Sequence, residues 1–203
     1  LVVIAILGLI FGFFSIKEAN NYSINPDNSN SISKLKNFSN KKYIATISIE
    51  GTIEEKNQTY DQEWLLSTIE ELEYDSNNVG IMLKINSPGG TVYESDEVYL
   101  ALLNYKTSGK PIFAYFESMA ASGGYYIGCA ADKIYANRNT LTGSIGVIYG
   151  QHLDLSKLLE KYGIDFTTIT AGENKNMGNF AEPLTAEQKK ILAKLAEGKI
   201  DIL

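Results

Sequence analysis

Apolar and polar positions divide the chain into three stretches. Leu1 to Ile16, LVVIAILGLIFGFFSI, is an apolar run with no charge before Lys17. As a helix it would span about 24 Å, somewhat short of the roughly 30 Å hydrocarbon core of a bilayer. The sequence starts with Leu rather than Met, so the expectation is a membrane anchor (residues 1–16) lacking its first residues. A signal-peptide core and a buried helix are the rival readings. Lys17 to Lys42 is rich in Asn, Ser and Lys with few large apolar residues, and reads as a flexible polar tether. From Tyr43 onward apolar positions recur with the periods of packed strands and helices.

Within that third stretch, strands are predicted at Tyr43–Ile49, Gly80–Ile85, Pro111–Phe116, Lys133–Ala136, Ile145–Tyr149 and Ile164–Thr170. Helices are predicted at Glu63–Tyr74, Glu94–Tyr105, Ala121–Ala131, Asp154–Tyr162 and Thr185–Gly198, the last opened by Thr185 with Glu187 and Gln188 in its first turn. Asn86-Ser87-Pro88-Gly89-Gly90 closes the second strand as a turn. Strands alternating with helices imply parallel βαβ units, hence an α/β domain over residues 43–203. The sequence stops soon after the last helix, so a C-terminal truncation is also expected.

Composition narrows the chemistry. A net charge of −6 with no cluster of Lys or Arg argues against a nucleic-acid partner. Cys129 is the single cysteine, which excludes an internal disulfide and a Cys-rich metal site. His152 is the single histidine; it stands just before a predicted helix and reads as a surface or capping residue. If the protein performs nucleophilic catalysis, a base other than histidine is expected. A lysine serves when burial among apolar groups disfavours its ammonium form.

Two segments carry candidate chemistry. Ser118-Met119-Ala120-Ala121-Ser122-Gly123-Gly124-Tyr125-Tyr126 places a serine flanked by small residues between a strand and a helix, where a sharp elbow exposes the hydroxyl. The competing reading is a small-residue helix start that packs tightly. The Pro-Gly-Gly turn can direct backbone N–H groups into a cleft and, with the Gly123 N–H, form a two-donor oxyanion hole. Alone it is a common tight turn. Ser31-Ile32-Ser33-Lys34 also fits a Ser-x-x-Lys pattern, but a flexible tether cannot hold catalytic geometry.

Ile85-Asn86-Ser87-Pro88-Gly89-Gly90, Met119-Ala120-Ala121-Ser122-Gly123-Gly124-Tyr125-Tyr126 and Thr142-Gly143-Ser144-Ile145-Gly146-Val147 follow one another in an order and spacing that resemble the signal peptide peptidase A family. The resemblance, covering about Tyr43 to the end, implies the fold of the Clp protease and crotonase superfamily. It implies a Ser–Lys dyad with Ser122 as nucleophile and Lys175 as general base, Gly89 and Gly123 as oxyanion donors, and Ser144 orienting the lysine. Lys175 falls in Ala171-Gly172-Glu173-Asn174-Lys175-Asn176, where the family shows Gly-x-x-Lys-Asp, so Asn176 departs from the pattern. Lys133, Lys189 and Lys190 are alternatives that read as surface charges. The resemblance also implies peptide substrates such as cleaved signal peptides, no cofactor, and no metal. It implies a homo-oligomeric ring or dome, with the octamer one candidate size, and a single-pass bacterial membrane protein with its catalytic domain outside the cytoplasm. A crotonase-like enzyme acting on CoA thioesters, a non-catalytic scaffold and a related membrane or capsid-processing protease are the rivals.

Overall fold

The computed structural model describes residues 20–24 and 41–200, with only the backbone described for 20–24, 199 and 200. The chain divides at Gly143/Ser144 into two compact units. The predicted anchor, Leu1–Ile16, lies outside the described residues, as do Ser31 and Lys34. Among the described residues no helix is long and apolar enough to cross a membrane.

The first unit is built on a six-stranded sheet in which every pairing is parallel. Its strands are β1 (Asn20–Ile24), β2 (Tyr43–Ile53), β3 (Asn78–Gly90), β4 (Ile112–Ala121), β5 (Lys133–Ala136) and β6 (Leu141–Gly143). They lie in the order β1-β2-β3-β4-β5, with β6 also pairing with β4. Parallel neighbours require crossovers, here supplied by α1 (Gln62–Tyr74) between β2 and β3 and α2 (Val92–Thr107) between β3 and β4. The short α3 (Gly123–Gly128) follows β4. The expected α/β architecture is therefore present. The segment read as a tether contributes β1, whose backbone extends the sheet beside β2.

Side-chain alternation explains the core. Ala45, Ile47 and Ile49 of β2, Ile81, Leu83 and Ile85 of β3, and Ile112, Ala114 and Phe116 of β4 are buried at every second position. They belong to one apolar cluster with Leu65, Ile69 and Leu72 of α1 and Val98, Leu102 and Tyr105 of α2, spaced three and four apart. Asp61 caps α1 by accepting a hydrogen bond from the Trp64 N–H at 3.0 Å. At the other end, Lys110 Nζ donates to the carbonyls of Leu72, Glu73 and Asp75 at 2.8, 2.9 and 2.9 Å. A cation there meets the negative end of the helix dipole as well as its unpaired carbonyls.

The second unit holds α4 (Ser156–Lys161) and α5 (Ala186–Ile200). Thr185 opens α5 as expected, through reciprocal bonds of a capping box: Gln188 N–H to Thr185 Oγ1 and Thr185 N–H to Gln188 Oε1, both 3.1 Å. The strands predicted at Ile145–Tyr149 and Ile164–Thr170 do not form. Their β-branched residues supply propensity, but propensity acts only where a neighbouring strand accepts the ladder. Ile145, Ile148 and Ile169 are instead exposed. The helix expected over Ala121–Ala131 contracts to the six residues of α3, because β4 runs on to Ala121 and holds the start of that segment in the sheet.

Two outcomes follow for stability. Lys110→Met keeps the apolar stem but removes three donors, and should cost about 1–3 kcal/mol in urea unfolding. Asp132 accepts from the Ile112 N–H at 2.8 Å and pairs with Lys106 at 2.9 Å. That N–H bond, followed by Lys106, holds its carboxyl below the ordinary 3.8. The stabilisation is complete above the unfolded-state value and is lost as pH falls through the lower folded-state value. Acid unfolding followed by circular dichroism should therefore show a shallower loss of stability in this window for Asp132→Asn than for the unaltered protein.

Candidate active site

Residues 86–90, expected as a turn, instead continue β3 with an irregular register, Asn86, Gly89 and Gly90 pairing with Glu50, Thr52 and Ile53 of β2, and this glycine turn of the strand end meets the junction of β4 and α3. Ser122 occupies that junction with φ 50° and ψ −123°, a left-handed conformation that a non-glycine residue adopts only at a cost. Backbone bonds hold it on both sides. Its N–H donates to Gly143 O at 2.9 Å, tying the elbow to β6, and its carbonyl accepts from the Tyr126 N–H at 2.9 Å. This is the sharp strand-to-helix elbow expected for an exposed nucleophile, and Ser122 remains partly accessible.

Glycines make the approach possible. A Cβ on Gly89, itself at φ 96°, would stand 2.7 Å from both Ser122 Cβ and Gly123 N, and 2.9 Å from Ala121 O. A Cβ on Gly90 would collide with Ile53 O, and one on Gly123 with Ser95 Oγ. A Cβ on Gly124 would press on Ser87 O at 3.1 Å and on Ser87 Cβ at 3.2 Å. The structure thus brings together three of the predicted residues, Ser122, Gly89 and Gly123, around one point.

The amides in the turn face different ways. Gly89 N–H donates to Ser87 Oγ at 3.0 Å. Thr91 N–H donates to Ile53 O at 2.9 Å, toward β2. Gly90 N lies 3.5 Å from where a Gly123 Cβ would be, on the side of the elbow.

Behind the elbow, α3 is locked against α2. Tyr126 OH donates to Asp96 Oδ1 at 2.7 Å, and its ring stacks on Tyr99 with centroids 4.4 Å apart. Burial, and then the bond to Asp96, push the Tyr126 phenol well above its ordinary value, so it stays a neutral donor. Sequence reasoning did not identify Gly90, Ser87, Ser95 or the Asp96–Tyr126 pair. The Ser-Pro-Gly-Gly string carried a signal for Ser87 and Gly90, whereas nothing local announces a contact across 30 residues.

Ser144 and Lys175 belong to the second unit. Ser144 is exposed and adopts φ 54°. Lys175 is exposed in a turn where its N–H donates to Gly172 O at 3.3 Å. Asn176, which replaces the family's Asp, donates through Nδ2 to Glu182 Oε2 at 2.7 Å. His152 is half-buried in the same unit, and its Nε2 is inaccessible and has no partner among the described residues. Lys133 on β5 and Lys189 and Lys190 on α5 are exposed.

Comparison with known proteins bears on this arrangement. Residues 104–201 match the model for peptidase family S49. An Enterococcus faecium protein named for signal peptide peptidase SppA is 35% identical over 170 residues, covering 80% of this chain and 49% of that protein. The chloroplastic serine protease SPPA of Arabidopsis thaliana is 32% identical over 150 residues, covering 73% of this chain and 22% of that protein. The chain spans about half the length, or less, of such curated relatives. Among solved structures, a mutant of the 1510-N membrane-bound stomatin-specific protease aligns over 80% of this chain and 70% of its own, at 18% identity and a TM-score of 0.43. The chain belongs to peptidase family S49, the signal peptide peptidase A family.

Proposed function

We propose that this chain is the nucleophile-bearing part of a serine endopeptidase with a Ser122–Lys175 dyad. The observation that carries the reading is the left-handed backbone of Ser122 at a strand-to-helix elbow, pressed by a glycine turn that has no room for side chains. Such strain persists where surrounding structure over-determines it, and it concentrates at functional sites.

In the proposed reaction, neutral Lys175 Nζ takes the proton as Ser122 Oγ attacks a peptide carbonyl. The C–N bond then breaks, Lys175 gives its proton to the leaving amine, and water hydrolyses the acyl ester. Gly123 and the Pro88–Gly90 turn supply N–H groups to the oxyanion, each worth about 3 kcal/mol in comparable sites. Because the Gly89 N–H is engaged by Ser87 Oγ, Gly90 is the better candidate than Gly89 for the turn's donor. Lys175 is exposed within its own unit. The desolvation that makes a lysine a base would therefore come from what packs on it in the working assembly. We assign Ser144 to orienting Lys175, and a homo-oligomer to completing the site.

Cleaved signal peptides and other membrane-associated peptides are the proposed substrates, with Leu1–Ile16 anchoring the protein in the bacterial membrane and the catalytic domain outside the cytoplasm. Family membership and the apolar run followed by a polar segment support this reading.

The test is mass spectrometry of the intact full-length protein after treatment with a fluorophosphonate. One adduct is expected on Ser122, none in Ser122→Ala, and at least a hundredfold slower labelling in Lys175→Ala, with circular dichroism unchanged in both variants. An adduct that persists in Ser122→Ala, or an unaltered protein that takes none, would overturn the assignment.

A further inference from the structure

Ser87 sits where the sheet loses its regular register. The β2–β3 ladder shifts between Glu50 and Thr52, opposite the end of β3. The β3–β4 ladder shifts between Ile85 and Ser87. At the first break Gly51 turns to φ 77°, as a bulged residue does. Its carbonyl accepts from Ser87 Oγ at 2.6 Å. The same oxygen accepts from the Gly89 N–H at 3.0 Å. Ser87 is fully buried, so no water competes for either bond.

Residues 87–90 pair with β2 through Gly89 and Gly90 and with β4 through Ser87, but their own chemistry adds little stiffness. Pro88 has no N–H, and Gly89 and Gly90 are the two most permissive residues available. The Gly89–Gly90 peptide is fixed from both sides instead. Upstream, the Ser87 hydroxyl holds the Gly89 N–H; downstream, the Thr91 N–H holds Ile53 O. Between these anchors lies the Gly90 amide, whose nitrogen is 3.5 Å from where a Gly123 Cβ would stand. Ser87 also supports the other half of the site, because its carbonyl and Cβ are the atoms that require glycine at 124.

We propose that Ser87 is a positioning residue for catalysis: its buried hydroxyl relays the Gly51 carbonyl to the Gly89 amide and thereby aims the Gly90 N–H at the oxyanion formed on Ser122. The proposal rests on the reading of Ser122 as nucleophile. Ser87 touches no substrate and acts through the turn. Without the hydroxyl, Gly89 can leave its left-handed conformation, and the amide beyond it loses its fixed direction.

The experiment compares the full-length protein with Ser87→Ala and Ser87→Cys, the latter filling the site with a weaker donor and acceptor. Active sites are first titrated with a fluorophosphonate, so that misfolded molecules are not counted. Per titrated site, Ser87→Ala should lower kcat for a quenched fluorogenic peptide by about ten- to a hundredfold, with KM within about twofold. Affinity for a peptide aldehyde, whose hemiacetal oxygen occupies the oxyanion position, should weaken in proportion, and Ser87→Cys should fall between. A merely structural role would reduce the titratable fraction alone. Unchanged kcat per site and unchanged aldehyde affinity in Ser87→Ala would overturn the proposal while leaving Ser122 in place. No labelling of the unaltered protein would remove both.

Discussion

The absence of room for a Cβ between the β3 turn and the Ser122 elbow is the constraint on which the candidate site depends. Gly89 lies against Ser122 and Gly123, Gly90 against Ile53, Gly123 against Ser95, and Gly124 against Ser87. Backbone and Cβ atoms make most of these contacts and no rotamer change moves them, while Ser95 Oγ is held by its bond to Thr91 O at 2.7 Å. Close-packed interiors transmit such constraints rather than absorbing them. A strained serine can persist here because its amide is held by Gly143, its carbonyl by Tyr126, and the turn in front of it by Ser87 and Thr91.

The sheet beneath explains why those segments converge. Parallel strands joined by helical crossovers end on the same side, so the C-terminal ends of β3 and β4 deliver the turn and the elbow to one edge. The apolar face carried by Ile47, Leu83 and Ala114, covered by α1 and α2, fixes the height of each strand relative to the next. The irregularities that shape the site occur near the C-terminal ends of these strands, at Gly51 and Ser87. Regular pairing therefore supports the site, and its local failure creates the geometry.

The proposed general base, Lys175, falls in the second unit, where it and Ser144 are both exposed. A lysine becomes a base by desolvation, which an exposed turn does not supply. On the proposed reading, nucleophile and base lie on units that differ in how they are built. One is a sheet with a continuous core; the other holds the short α4, the fifteen-residue α5 and segments such as Ile164–Thr170 that lack strand partners.

Local patterns in the sequence determined the α/β class, the sites of the central strands and two crossover helices, and the three motifs that mark the family. These rest on side-chain period, turn chemistry and capping, which act over a few residues. Apolar and β-branched runs located β2, β3 and β4, and Thr185 with Gln188 announced the start of α5. Tertiary structure alone decided that Ile145–Tyr149 and Ile164–Thr170 are not strands, because a strand exists only through its neighbour. It alone decided that Asn20–Ile24 adds to the sheet, that Gly89 spends its amide on Ser87, and that Tyr126 reaches Asp96. Those outcomes depend on groups brought together from distant positions, and no window along the chain contains both partners.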